Sequence, residues 1–324
     1  MADLSVEYMG LKLKSPIIVS SGPMTRDVES MRKCEKAGAG AVVIKSIFEE
    51  QIAAEADAAV LGNEDYLTHA GADDYMANLA KDYYIERYCD LIRNAKSELT
   101  IPVIASINCS TLSTWVDYAD RFVKAGADAI ELNYYPMVSS VNVKGKAVDE
   151  ALLDFAKSAR KRISVPLSIK MGRNYSALSY VLKQIDEIGF DSVVLFNRAF
   201  RQDIDLNTLE FRPARVTSSE DEYPQTLRWT ALMSGDLKCD IASNTGIHSG
   251  DTAVKMLLAG ASAVEVCSVL IKKGVDVITE MNNDILSFME GKGYENITDF
   301  KGKLAQESLS NGDDWERVQY LKTV

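Results

Sequence analysis

The sequence predicts an α/β fold, a single (β/α)8 TIM barrel with loops inserted at the C-terminal face of its strands. Two observations carry this. First, one phrase recurs four times: Ala37-Gly38-Ala39-Gly40-Ala41-Val42-Val43, Ala125-Gly126-Ala127-Asp128-Ala129-Ile130-Glu131, Ile188-Gly189-Phe190-Asp191-Ser192-Val193-Val194 and Ala259-Gly260-Ala261-Ser262-Ala263-Val264-Glu265. Each copy ends a helical pattern on glycine, which takes a left-handed cap without steric cost, and then enters a short β-branched run. Second, eight apolar runs alternate with eight helical patterns, the rhythm of parallel βα units. An open doubly wound sheet would need a glycine-rich turn after its first strand, and Ser21-Gly22-Pro23 does not supply one.

The predicted strands are Pro16–Ser21, Ala41–Ser46, Pro102–Asn108, Ala129–Tyr134, Pro166–Met171, Ser192–Asn197, Asp240–Thr245 and Ala263–Ser268. The first helix, Asp27–Ala37, has an acidic first turn and a glycine stop. Helical patterns follow at Tyr75–Lys96, Thr114–Ala125, Asp149–Lys161, Tyr175–Ile188, Gln225–Ser234 and Ser249–Ala259, and Ile271–Met289 closes the series. Residues 1–324 thus read as one barrel domain. Insertions at about 47–74, 137–148 and 199–224 leave the C-terminal ends of strands, where barrels place their sites. The polar stretch 296–324 reads as a C-terminal tail that packs late or frays.

Composition excludes several functions. Thirty-six Lys and Arg oppose 47 Asp and Glu, a net charge of −11, so a nucleic-acid partner is not expected. No apolar run is long enough to span a membrane, and Met1–Tyr8 lacks a signal-peptide pattern. The five cysteines are scattered without metal spacing, which suits reduced thiols in a cytoplasmic protein and no metal centre. With only His69 and His248, a Ser-His-Asp triad is not expected, and a bound cofactor is the natural source of chemistry.

Polar residues gather at the strand ends. They are Ser20, Ser21 and Gly22 on strand one, Lys45 and Ser46 on two, Asn108 on three and Asn133 on four. Lys170 ends strand five, Asn197 six, Ser243-Asn244-Thr245-Gly246 seven, and Cys267-Ser268 eight. Lys45 and Lys170 lie in apolar runs, and lysine is rarely buried alone. Each either holds a positive charge against an anionic or electron-rich ligand, or snorkels, or pairs with a buried acid. The three asparagines offer donors and acceptors for a flat heterocycle, or tie up loops. Thr245-Gly246 leads into a helix whose N-terminus suits an anion.

Through these residues the chain resembles the dihydroorotate dehydrogenase family of FMN-dependent barrels, from about Tyr8 to Lys273. The motifs are Ser15-Pro16…Ser20-Ser21-Gly22, Ala37 through Ser46, Glu131-Leu132-Asn133, Pro166 through Lys170, Thr245-Gly246-Ile247, and Leu258 through Val264. The resemblance implies FMN as cofactor, held by Ser20, Ser21, Lys45, Ser46, Asn108, Asn133, Lys170, Asn197, Thr245, Gly246, Cys267 and Ser268. It implies a small-molecule substrate, dihydroorotate, at Lys45, Asn133 and Asn197, oxidised to orotate in pyrimidine biosynthesis. It also implies a homodimer. The acceptor of the electrons is open among fumarate, nicotinamide through a partner, and a quinone.

Three departures bear on that expectation. The family's strand-four loop carries a Cys or Ser base, and here the run is Asn133-Tyr134-Tyr135-Pro136-Met137. Tyr135 is either the catalyst in that place or an aromatic wall, with Lys45 beside the substrate, and Ser139 or Ser140 substitutes if the loop folds back. The strand-two loop, His69-Ala70-Gly71-Ala72-Asp73-Asp74-Tyr75-Met76, has no match to the family's Asn near a Met-Gly turn. Family phosphate-loop glycines are replaced by Ser243, Thr245 and Cys267, with Thr245 and Ser268 hydroxyls as compensating donors. Two alternatives therefore stand beside the first reading: a flavin barrel with another substrate, and a non-redox barrel that binds a phosphorylated ligand.

Overall fold

A computed structural model describes residues 2–48, 72–109, 115–136, 138–198, 201–310 and 313–316. Its centre is a closed barrel of eight parallel strands. In chain order the strands of the molecule are β1 (Val6–Tyr8), β2 (Leu11–Leu13), β3 (Ile17–Val19), β4 (Ala41–Val43), β5 (Ile47–Phe48), β6 (Val103–Cys109), β7 (Ala129–Tyr134), β8 (Leu167–Met171), β9 (Ser192–Leu195), β10 (Gln202–Asp205), β11 (Glu210–Pro213), β12 (Asp240–Asn244) and β13 (Ala263–Val266). The barrel runs β3, β4, β6, β7, β8, β9, β12, β13 and returns to β3 through Val264↔Ile17. These are the eight strands the sequence predicts, and the helices fall between them as expected.

Several ladders stop earlier than predicted. The backbone leaves the sheet to form the loops, so Ser20, Ser21, Lys45, Ser46, Asn197, Thr245 and Cys267 follow their strands rather than belong to them. The first helix, Val28–Lys36, shows how local signals set an element. The Asp27 side chain accepts from the Ser30 N–H at 2.8 Å, and Glu29 pairs with Lys33 at 2.8 Å. Met31 and Cys34 face the barrel, and the helix ends at Ala37-Gly38. The four repeated glycines, Gly38, Gly126, Gly189 and Gly260, all have positive φ, between 96° and 107°.

Alternation along the strands separates two layers of core. Ile18, Ala41, Val43, Ile104, Ala129, Val194, Ala242 and Ala263 point into the barrel near its foot. The β1–β2 hairpin, which the sequence reading does not foresee, plugs that foot. Tyr8, Met9 and Leu13 are buried against these residues. Ser192 Oγ donates to Tyr8 Oη at 2.9 Å, and the Met9 N–H donates to Asp240 Oδ2 at 2.8 Å. The other faces of the strands pack against the helices.

One further point corrects the sequence reading, and two add to it. The predicted helix Ile271–Met289 is two helices, Ser268–Lys273 and Val277–Lys292, parted at Gly274, where φ is +84°. The insertion at 199–224 contains its own hairpin, β10–β11. The stretch from Asn296 to residue 310 is packed rather than frayed. Ile297 and Phe300 are buried, Phe300 stacks on Tyr294, and the Gly302 and Leu304 N–H groups donate to Leu257 and Leu258 carbonyls. Its polar composition hid two apolar anchors. Most of the 47–74 insertion lies outside the described residues.

The repeated glycines give a graded prediction. A Cβ at Gly126 would meet only Lys96 Cγ at 3.6 Å, whereas a Cβ at Gly260 would lie 2.4 Å from Ser234 Cβ. Both carry the cost of positive φ, about 1–2 kcal/mol. Gly260→Ala therefore lowers stability more than Gly126→Ala, as measured by urea unfolding of the two variants.

Candidate active site

Continuing the inward alternation up the strands changes its chemistry. Above Ala41 and Val43 comes Lys45; above Ile104 come Ser106 and Asn108; above Ala129 come Glu131 and Asn133; above Ala263 come Glu265 and Cys267. Ser168 and Lys170 stand on β8, and Asn133 pairs in register with Lys170. The barrel is apolar at its foot and polar at its head.

The polar head opens into a cavity of about 240 Å3. Ser20, Ser21, Lys170, Asn197, Thr245, Gly246, Cys267 and Ser268 line it, as do Asn244 and Glu265. Eight of the residues picked from sequence are thus brought to one space. A smaller cavity of about 90 Å3 shares Asn197, Arg198 and Thr245 with it and adds Tyr135, Arg173, Arg201 and Glu222.

Lys170 is buried at the cavity floor. Its Nζ donates to Glu265 Oε2 and to Ser20 Oγ, each at 2.7 Å, and Ser20 Oγ donates to the same Glu265 oxygen at 2.8 Å. Glu131 Oε1 is 3.8 Å from Nζ. Of the readings left open for Lys170, pairing with a buried acid is the one realised, and its charge is balanced rather than free. Burial opposes the Lys170 charge, but the two glutamates outweigh it and hold the amine protonated. Burial raises Glu131 well above the carboxylate range, and the neighbouring Glu265 adds to this. Burial also opposes charge on Glu265, yet Lys170 holds its carboxyl below the ordinary value. Sequence reading passed over Glu265 and took Glu131 only as part of a motif. The signal was available in the period-two spacing of Ala129-Glu131-Asn133 and Ala263-Glu265-Cys267.

Lys45 is the opposite case. It is half-buried, its Nζ lies 4.6 Å from the Phe48 ring centroid, and no carboxylate among the described residues pairs with it. Burial lowers its pKa. Beside it runs a chain of hydroxyls: Ser21 Oγ to Ser46 Oγ at 2.9 Å, and Ser46 Oγ to Ser106 Oγ at 2.8 Å. Lys45 and Ser46 line a separate groove rather than the 240 Å3 cavity. Asn133 lies next to that cavity and accepts from Asn197 Nδ2 at 2.8 Å. Asn108 faces Asn133 across the ladder and does not line the cavity.

The strand-seven tip keeps a glycine-like conformation without glycine. Thr245 has φ +78°, unusual for a β-branched residue. Its Oγ1 donates to the Phe196 carbonyl at 2.9 Å, and its N–H donates to Asn244 Oδ1 at 2.8 Å. At the strand-eight tip the close approach is met from the other side: a Cβ on Gly22 would lie 2.5 Å from Cys267 Sγ. The cysteine is thus seated against a residue that has no side chain.

The end of the 199–224 insertion forms the remaining wall, with Arg215, Val216 and Ser218. The Ser218 N–H donates to Ser268 Oγ at 2.9 Å, Lys272 Nζ to the Ser218 carbonyl at 2.6 Å, and Ser218 Oγ meets His248 Nε2 at 2.9 Å. Arg198 fixes the same segment through the Arg215 carbonyl at 2.8 Å and Glu222 at 3.0 Å. Tyr135 lies apart from the main cavity, with its ring against Gly172, and borders two side cavities. Ser139 is exposed and lines neither the main cavity nor those beside Tyr135. Met137 lies outside the described residues. So does His69, with most of its loop.

A protein-family model described as Dihydroorotate dehydrogenase matches residues 3–289. The chain belongs to the dihydroorotate dehydrogenase family. Among curated relatives, a protein of Thermoplasma acidophilum named dihydroorotate dehydrogenase B (NAD(+)), catalytic subunit, is 27% identical over 93% of this chain and 99% of its own length. A Methanosarcina mazei protein of the same name is 28% identical over 93% and 94%. One from Methanocaldococcus jannaschii is 23% identical over 91% and 95%. The family expected from the strand-tip motifs is therefore the family found, and at these identities the chain is a divergent dihydroorotate dehydrogenase family member.

The buried ion pair yields a prediction for this member of the family. Lys170→Met strands the Glu265 carboxylate in the barrel and costs about 3–5 kcal/mol. Adding Glu265→Gln to Lys170→Met recovers more than half of that loss. Urea unfolding of the single and double variants measures both.

Proposed function

We propose that this chain is an oxidoreductase that oxidises dihydroorotate to orotate with FMN as its cofactor. The observation that carries this reading is the 240 Å3 cavity at the head of a dihydroorotate dehydrogenase family barrel, whose lining holds two kinds of group. Lys170, Ser20, Ser21 and Asn197 supply the donors and acceptors a flat heterocycle needs. Thr245, Gly246, Ser218, Ser268 and Arg215 line it too. The Arg215 guanidinium pairs with no carboxylate among the described residues. Hydroxyls, backbone N–H groups and a free guanidinium suit a phosphate. With the adjoining smaller cavity, the space reaches the lower end of the roughly 300–1,000 Å3 usual for ligand sites. FMN, when bound, supplies the acceptor for the hydride.

The substrate would lose a hydride from one carbon and a proton from its neighbour, leaving a double bond. Tyr135, as a phenolate that has given its own proton to solvent, is the residue we assign to take that proton, in the place where the family has Cys or Ser. Asn133 and Asn197, held together at 2.8 Å, orient the ring. Lys45, with no balancing carboxylate among the described residues, offers a positive charge to an anionic substrate. The three arginines and one glutamate around the smaller cavity leave a net positive charge there, in a chain of net charge −11. That also favours a carboxylate substrate.

A second reading keeps FMN and changes the substrate. It is favoured by the strand-four loop, where Tyr135 replaces the family base and packs on Gly172 while Ser139 stays exposed. The relatives are named catalytic subunits, so we assign a second subunit or a second copy of this chain as partner. The pathway is pyrimidine biosynthesis and the site of action is the cytoplasm under the first reading.

Purified protein should be yellow, and anaerobic dihydroorotate should bleach its flavin band. Bleaching rejects the second reading, and a yellow protein that dihydroorotate leaves unchanged rejects the first. Tyr135→Phe should slow bleaching by about 10²–10⁴-fold with flavin content unchanged, as read by stopped-flow absorbance.

A further inference from the structure

Lys170 borders the proposed cofactor site, and the two buried glutamates beside it have no task there. Around Lys170 Nζ one cation meets two carboxyl groups, Glu265 at 2.7 Å and Glu131 at 3.8 Å. Glu265 accepts from both Lys170 and Ser20. Glu131 is different. Both of its oxygens are buried, and among the described residues neither accepts a hydrogen bond. A bare carboxylate in that position is costly, whereas a carboxylic acid can donate to Glu265.

Among the described residues the surroundings offer no second positive charge. Tyr8 faces the pair from the hairpin below, Tyr88 from the helix Ala72–Glu98, and Cys267 from above. Burial pushes all three up, so they stand neutral at neutral pH. Asp240 at the foot adds only negative charge, and Lys45 lies near Cys267. Glu265 and Lys170 both border the main cavity.

We propose that Glu131 and Glu265 hold one proton between them, so that either can carry the single negative charge that neutralises Lys170 beneath the cavity. Both are positioning residues: they touch Lys170, and through it they set how readily a redox group above accepts negative charge. The last step rests on the FMN reading; the shared proton does not.

The arrangement predicts a non-additive pattern. In Glu131→Gln the Glu265 charge remains. In Glu265→Gln the remaining proton leaves and Glu131 takes over the charge. In the double variant Lys170 is unbalanced. Anaerobic titration of FMN-loaded protein against a reference dye reads the oxidised–reduced equilibrium. Each single variant should stay within about twofold of the parent. The double variant should shift at least about tenfold toward the reduced form, about 30 mV for a two-electron couple. Stepwise shifts of about tenfold in each single variant, or no shift in the double, overturn the proposal.

Flavin-free protein gives an independent arm. The infrared spectrum at pH 7 should contain the band of a buried protonated carboxyl that Glu131→Gln removes. Because the Glu131 pKa is raised on folding, its contribution to stability is full below about 4.5 and is lost as pH rises toward the folded value. Glu131→Gln should therefore flatten the fall of stability with rising pH. A wild type without the infrared band overturns the shared proton. A protein with the band that takes up no FMN keeps the shared proton and rejects only the flavin reading.

Discussion

Everything at the head of this barrel depends on closure of the parallel sheet. The pairs Ile18↔Ala41, Val42↔Val103 and Val264↔Ile17 join the first, second, third and eighth barrel strands and leave the ring without an edge. In a ring, a one-residue slip in any strand would turn its entire inward row outward. Register is therefore held collectively, and the residues two and four positions above the alanine layer must meet. That is why a lysine on β8, a glutamate on β13 and a serine after β3, far apart in sequence, lie within hydrogen-bond distance. The glycine-ended helices serve the same end, since each returns the chain to the foot of the sheet at a fixed point.

The loops carry what separates this chain from a generic barrel. The segment after β9 closes over one end of the cavity and is tied down at both margins, by Arg198 and by the Ser218–Ser268–Lys272 cluster. At two strand tips the local conformation is met by neighbours. Thr245 keeps positive φ with a hydroxyl bond to Phe196, and Cys267 lies against Gly22. A departure in sequence at one position is thus matched by a fit at another.

The scaffold was legible because it rests on local signals that repeat: glycine stops, β-branched runs and the Asp27 cap. Its strand-tip residues followed directly, and Ser20, Ser21, Lys170, Asn197, Thr245, Gly246, Cys267 and Ser268 do share a cavity. The remainder depends on contacts distant in sequence. The foot hairpin is three residues a side and too short for a periodic signal. The balance of Lys170 needs Glu131 and Glu265 from two other strands, which only closure brings together. The helix break at Gly274 and the anchors Ile297 and Phe300 are single residues in polar or helical surroundings, so composition averaged them away. Tyr135 was legible as a departure, but its seat against Gly172 comes from the approach of two loops.

The hairpin at the foot has a consequence beyond packing. With Tyr8, Met9 and Leu13 filling the lower mouth, the barrel interior is a blind well. Solvent and ions reach its acidic layer from the head alone, along the same route a ligand would take. Whatever seats itself in the cavity then stoppers the well and insulates the charges beneath it. Binding and dielectric isolation are here a single event.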